Sequence, residues 1–186
     1  MRFPETFPEL GTERLRLQAL RADDAEALFA IFADPEVMRY WSRPPMRELA
    51  EAEALVADAT AAFAAGDSFR WGLRSDAEDR VIGTCSLFHL DAQNGRAEIG
   101  YALRRPSWGQ GLMQEALRAV IGYAFDARGL DLGRIEADLD PHNQASARLL
   151  ERLGFAREGL LRERWTVAGV TTDSLIMGLL RREWRP

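Results

Sequence analysis

Backbone N–H groups at the start of a helix have no partner inside it, and the helix dipole adds partial positive charge there. A glycine-bearing turn that opens into a helix is therefore a ready anion site. Residues 98–115 (EIGYALRRPSWGQGLMQE) have that form: a strand, the turn Trp108-Gly109-Gln110-Gly111, then an amphipathic run that starts at Leu112 and Met113. The amides of Gly109, Gly111, Leu112 and Met113 are the ones aimed at a ligand, and glycine lets a phosphate approach the chain closely. The same pattern also describes a tight turn that needs its glycines for geometry alone. Two nucleotide-binding patterns fail here. A P-loop needs G-x-x-x-x-G-K-[ST], but Gln114 and Glu115 follow the helix start and there is no lysine; a dinucleotide fingerprint needs a third glycine where Gln114 stands.

On the strand before the turn, Glu98, Gly100, Ala102 and Arg104 share one face, and Ile99, Tyr101 and Leu103 the other. Small residues in mid-strand let a ligand chain lie close to the sheet, and Glu98 puts a carboxylate beside that strip. Glu98 reads equally as a solvated residue on a polar face. Cys85, in an apolar strand, reads as core rather than nucleophile. His89 and His142 lack metal-ligand spacing, so no metal is expected.

The elements that must position these groups follow from periodicity. Thr12–Ala19 alternates as a first strand. A helix begins after Asp23 or Asp24, either of which can cap it, and stops at Asp34-Pro35. Pro35–Arg47 is irregular and aromatic. A helix over 48–65, with Leu49, Ala52, Val56, Ala59 and Phe63 on one side, ends at Gly66. Strands over 69–74, 80–90 and 96–104 are joined by DAED and DAQNG, turns short enough for antiparallel neighbours. The helix from Leu112 carries an apolar stripe to Phe125. A strand over 133–139, a helix over 144–153 and strands over 156–167 and 170–180 complete the chain. The pattern is α/β, a mixed, mostly antiparallel central sheet flanked by helices on both faces, in a single domain spanning 1–186.

Composition narrows the class. The chain has 186 residues, 24 Lys+Arg against 29 Asp+Glu, 47% apolar and 28% charged residues, values typical of globular proteins. The longest stretch without a charge, Val81–Leu90, is about half a membrane-spanning helix. The N-terminus (MRFPETFPEL) lacks the apolar run of a signal peptide. A lone cysteine excludes an internal disulfide, and a net charge of −5 with no basic block argues against nucleic acid. A cytoplasmic protein is expected, with no membrane or nucleic-acid partner.

Residues 98–115, HNQASARLLERLGF (142–155), EGLLRE (158–163), the opening TERLRL, DPEVMRYW and the final REW resemble the GNAT superfamily of acyl-CoA-dependent N-acyltransferases, in its ribosomal-protein N-terminal acetyltransferase (Rim-type) branch. The resemblance covers nearly the whole chain. It implies acetyl-CoA as cosubstrate, with the pyrophosphate held by the turn from Trp108 through Gly109, Gln110, Gly111 and Leu112 to Met113. The pantetheine arm would pair with backbone at Tyr101, Ala102, Leu103 and Arg104. Asn143 and Ser146 match residues near the pantetheine and thioester, and Arg152 a basic group for a cofactor phosphate. Asn143 also reads as a helix N-cap. Two positions depart from the family: Pro106 stands three residues before the first glycine, where Gln or Arg is common, and Leu150 where many relatives carry an acid tyrosine. Ser146 then becomes the expected proton donor to sulfur.

The implied reaction is direct attack of a neutral amine on the thioester, with Glu98 taking the proton directly or through water. Deprotonating an ordinary lysine at pH 7 costs roughly 4.6 kcal/mol, an α-amine roughly 1 kcal/mol. A lone carboxylate therefore suits a protein or peptide N-terminal α-amine. The alternatives are a small-molecule amine (antibiotic, polyamine or amino acid) and a non-catalytic acyl-CoA-binding regulator. Tyr40, Trp41 and Arg43 are candidates for the acceptor groove, or a packed loop or dimer contact. Trp165 and Asp173 follow them. A monomer or homodimer is expected.

Overall fold

The computed structural model describes residues 3–75 and 78–185. Asp76 and Ala77 of the DAED turn lie outside the described residues. One eight-stranded sheet runs in the order β1 (Leu10–Gly11), β2 (Leu15–Ala19), β3 (Phe69–Ser75), β4 (Glu78–Asp91), β5 (Arg96–Leu103), β6 (Arg134–Leu139), β8 (Val170–Leu180), β7 (Ala156–Val167). β5 and β6 pair in parallel, and the other neighbours pair antiparallel.

Helices cover both faces. α4 (Leu112–Phe125) and α5 (Gln144–Arg152) bury Leu117, Val120, Ile121, Ala147 and Leu150 against Leu17, Trp71, Cys85, Leu87 and Ile99. α1 (Ala25–Phe32), α2 (Pro35–Met38) and α3 (Leu49–Ala65) close the other face over Val81 and Ala102. Burial of this kind removes apolar area from water at roughly 25 cal/mol per Å² and is what holds the helices on the sheet.

Local chemistry explains the boundaries. α3 stops at Gly66, whose φ of +79° is a left-handed cap. Asn143 caps α5, its side-chain oxygen accepting from the Ser146 amide at 3.1 Å. Three expectations change. The irregular stretch after Pro35 opens with α2, a turn started by Asp34 accepting from the Glu36 amide with proline at the first helical position. Leu49 is exposed, and Leu55 takes its place in the core beside Ala52 and Val56. Asp24 is no side-chain cap for α1, because its carboxylate is committed to Arg74.

Candidate active site

Strand β5 is the spine of the site. Its parallel register with β6 runs Arg96–Arg134, Ala97–Ile135 and Glu98–Glu136, and stops there, although β5 continues to Leu103 and β6 to Leu139. Beyond Glu98 the two strands diverge. A cleft of about 700 Å³ opens at this splay, and its walls come from both faces of the sheet. Glu98 and Gly100 line it from one side, Ile99, Tyr101, Ser146 and Leu150 from the other. A passage through the sheet can admit two reactants from opposite faces, which a transfer reaction requires.

Glu98 is partly buried, and its carboxylate lies 3.0 Å from Nδ1 of the exposed His89. His89 is reachable because β4 breaks register between Phe88 and Asp91, with φ of +49° at His89. Across the gap, the Tyr101 hydroxyl and Ser146 Oγ are 2.5 Å apart. Burial pushes the Tyr101 phenol well up, with the Ser146 hydrogen bond only partly opposing it, so this pair stays protonated at neutral pH. Leu150, buried beside them, offers no hydroxyl.

The glycine turn lies outside this cleft, at the start of α4. Gly109 and Gly111 have φ of +74° and +76°, the left-handed region that favours glycine. α4 has no side-chain cap, and among the described residues the amides of Gly109 to Gln114 meet no acceptor. A row of free donors beside a helix start is what an anion would satisfy. Trp108 covers the turn, its indole donating to the Leu103 carbonyl at 2.6 Å. The Arg104 amide donates to Ile82, so these two backbone groups of the β5 end are already engaged. Arg152 reaches the first turn of α4 through Gln114, at 3.2 Å.

The small-residue strip is not open along its length. A Cβ on Gly100 would stand 3.0 Å from the Phe88 ring, and Ala102 is buried under α1 and α3. At those two positions the strip also serves close packing, while Gly100 still lines the cleft. Tyr40, Trp41 and Arg43 all line the cleft, with Trp41 edge-on to Phe32 at 5.5 Å. Trp165 and Asp173 close the opposite wall from the β7–β8 hairpin.

A match to the "Acetyltransferase (GNAT) domain" spans residues 14–156. The chain belongs to the GNAT acetyltransferase family. It is 38% identical to the uncharacterized N-acetyltransferase p20 of Bacillus licheniformis, over 94% of this chain and 97% of that one. It is 34% identical to the [ribosomal protein uS5]-alanine N-acetyltransferase of Escherichia coli, over 65% of this chain and 62% of that one. Its fold is shared with the spermidine N-acetyltransferase of Vibrio cholerae solved with CoA and spermine, at a TM-score of 0.80 and 22% identity, over 91% of this chain and 96% of that one. The chain is an acyl-CoA-dependent N-acyltransferase, and its homologues include proteins named as ribosomal-protein N-acetyltransferases.

Within that family assignment, four contributors went unread in the sequence. Asp138 lines the cleft from β6, on the face that Glu98 and Glu136 share; the RIEADL alternation carried the signal. His89 beside Glu98 and the Tyr101 hydroxyl depend on tertiary contact. Arg14 reaches the glycine turn, donating to the Gln110 carbonyl at 3.0 Å while Nε binds Glu115 at 2.6 Å. Burial pushes the Glu115 carboxyl up, but hydrogen bonds from Thr12 and Arg14 outweigh it and hold it below the usual range. That contribution to stability is present above the ordinary carboxylate pKa and is lost as pH falls through the lower folded value. Arg14→Ala frees the turn before ligand binds, so calorimetry should show acetyl-CoA affinity weakened about 2–10-fold, the ordering of one or two side chains' worth of free energy. Unchanged affinity would mean the turn holds its shape without Arg14.

Proposed function

We propose that the chain transfers an acetyl group from acetyl-CoA to an α-amine, with a protein or peptide N-terminus as acceptor, by direct attack in a ternary complex. The observation that carries this reading is the splay after Glu98, which joins a carboxylate on one face to a hydroxyl pair on the other. The free amides of Gly109 to Gln114 fit the pyrophosphate of the cosubstrate, with Arg152 and Gln114 beside them. Asn143 and Ser146 line the cleft.

Glu98 accepts the proton of the attacking amine, directly or through water, and Asp138 adds negative charge on the same face. The amine then bonds to the carbonyl carbon, and the carbon–sulfur bond breaks. Ser146, held by Tyr101, donates to the departing thiolate and regains the second proton that the nitrogen gives up as it becomes the amide. An ordinary thiol has a pKa of about 8.5, so its departure asks less of the site than the amine, which must lose a proton. An α-amine asks about 1 kcal/mol of such a site, a lysine about 4.6 kcal/mol. The relative that acts on ribosomal protein uS5 alanine supports a protein N-terminus. A polyamine is the second reading: Glu98, Asp138, Asp140 and Asp173 line one cleft, and the fold is shared with a spermidine N-acetyltransferase.

Free-thiol release from acetyl-CoA, measured against N-terminal peptides, amino acids, polyamines and aminoglycosides, tests the proposal. Peptides should turn over fastest. Ser146→Ala should lower kcat by roughly 10²-fold, the low end of general-acid effects, with acetyl-CoA affinity retained. Preference for polyamines would overturn the α-amine reading, and an undiminished Ser146→Ala enzyme the donor role.

A further inference from the structure

The acidic groups are only half of the cleft. The opposite wall carries Arg43, from the loop after α2, and Arg70, from β3. Their surroundings are unusual for arginines. Neither makes a hydrogen bond or ion pair among the described residues. Arg43 lies over the Phe32 ring at 5.3 Å, which holds its planar head in the cleft. Burial draws Arg70 below the usual arginine range, and the charge of Arg43 draws it lower still, with Asp58 offsetting part. Burial likewise lowers Arg43, with Glu51 opposing. Two half-buried guanidiniums that repel one another while offering free donors are a site for an anion.

The sheet register measures the separation from Glu98. Arg70 pairs with Ser86, and Ser86 with Gly100, so all three share the face on which Glu98 lies one alternation further along β5. Two strand spacings across and two residues along put the Cα atoms of Arg70 and Glu98 roughly 12 Å apart. Both side chains reach into the space between.

We propose that Arg43 and Arg70 form an anion subsite for the acceptor, so that the substrate is an α-amine carrying a carboxylate or phosphate group roughly 5–10 Å from its nitrogen. This rests on the acetyl-transfer reading of the same cleft and names its substrate class. The amine lies toward Glu98 and Asp138, the anion toward the arginines. An N-terminal peptide with an acidic or phosphorylated residue at its second or third position has that spacing; a free amino acid, whose carboxylate is closer, does not. A polyamine would set a cation against both guanidiniums.

The test is steady-state acetylation of matched peptides with neutral, Asp, Glu or phosphoserine residues at positions two and three, beside free amino acids and spermidine. Wild type should favour the acidic peptides over neutral ones by about 10–100-fold in kcat/KM, mainly through KM, the range of a charge-assisted hydrogen bond. Carboxylate and phosphate arms identify which anion it takes. Arg70→Gln and, on the loop, Arg43→Gln should each collapse that ratio, with acetyl-CoA binding by calorimetry reporting that the variants are folded. Equal use of neutral and acidic peptides by wild type, or a ratio that survives both substitutions, would overturn the subsite and leave acetyl transfer standing. Turnover of no amine with acetyl-CoA bound would instead overturn the transfer reading itself.

Discussion

Glu98→Gln should lower kcat by about 10²–10⁴-fold while leaving acetyl-CoA affinity unchanged, because general-base assistance is lost and the glycine turn is a separate structure. The substitution keeps shape and removes the proton acceptor. Glu98 reaches the cleft from the last residue of the β5–β6 register, and among the described residues its side chain meets the exposed His89 at 3.0 Å, so no buried ion is left unpaired by the change. Loss of stability should therefore be small, and a melting curve separates it from loss of rate. Asp138 provides the discriminating control. It lies on the same face and lines the same cleft, but from β6. If Glu98 is the base, Asp138→Asn should act mainly on KM for the cationic acceptor, whereas Glu98→Gln acts on kcat. A larger kcat loss at Asp138 would transfer the base role to that residue.

The contrast between these two carboxylates also shows what a sequence can carry. Alternation and turn chemistry are local, and they located most elements: the closing strands fall at Ala156–Val167 and Val170–Leu180, and α5 begins after Asn143 as its capping preference demands. The turn of Gly109 and Gly111 was legible for the same reason, since both glycines adopt the left-handed backbone that such a turn before a helix requires. The active cleft is another matter. It exists because parallel pairing ends after Glu98, and how far two strands stay paired depends on what packs over them, not on either strand's own sequence. Hence the partners of Glu98, the Tyr101–Ser146 pair and the reach of Arg14 across to Gln110 had no local signal. The small-residue strip was legible, but its packing was not: Gly100 lines the cleft and also makes room for Phe88, and Ala102 makes room for the helices above it. The Asp34-Pro35-Glu36 helix start, by contrast, was a local signal that the neighbouring aromatic residues obscured.

Asp24→Asn should be the most destabilising of the conservative changes considered for this chain. Arg74 is 2% exposed and Asp24 3%, and one guanidinium nitrogen of Arg74 donates to both carboxylate oxygens at 2.8 Å. The same carboxylate accepts from the Arg21 amide at 2.7 Å, and Arg74 also donates to the Asp79 carbonyl at 3.0 Å. Two charges removed from water are tolerable only because each answers the other; with one neutralised, the remaining guanidinium keeps its charge and loses its compensation. Breaking such a pair costs about 3–5 kcal/mol. For a chain of this size that corresponds to a drop of about 6–20 °C in melting temperature. Arg74 Nε already lacks a partner, so this site has no spare hydrogen bond to redistribute. Replacing both members, Asp24→Leu with Arg74→Met, removes the orphaned charge and should recover a large part of the loss. A double variant as unstable as the single would instead assign the cost to the Arg21 and Asp79 backbone contacts. Thermal melts of the three variants, with the double-mutant cycle evaluated at one temperature, decide between these accounts. The pair ties the start of α1 to β3, fifty residues away in sequence, and α1 holds Phe32 beneath Arg43 and Trp41. Loosening it should therefore raise the acceptor KM before it affects acetyl-CoA, since the glycine turn proposed for it lies on the other side of the sheet.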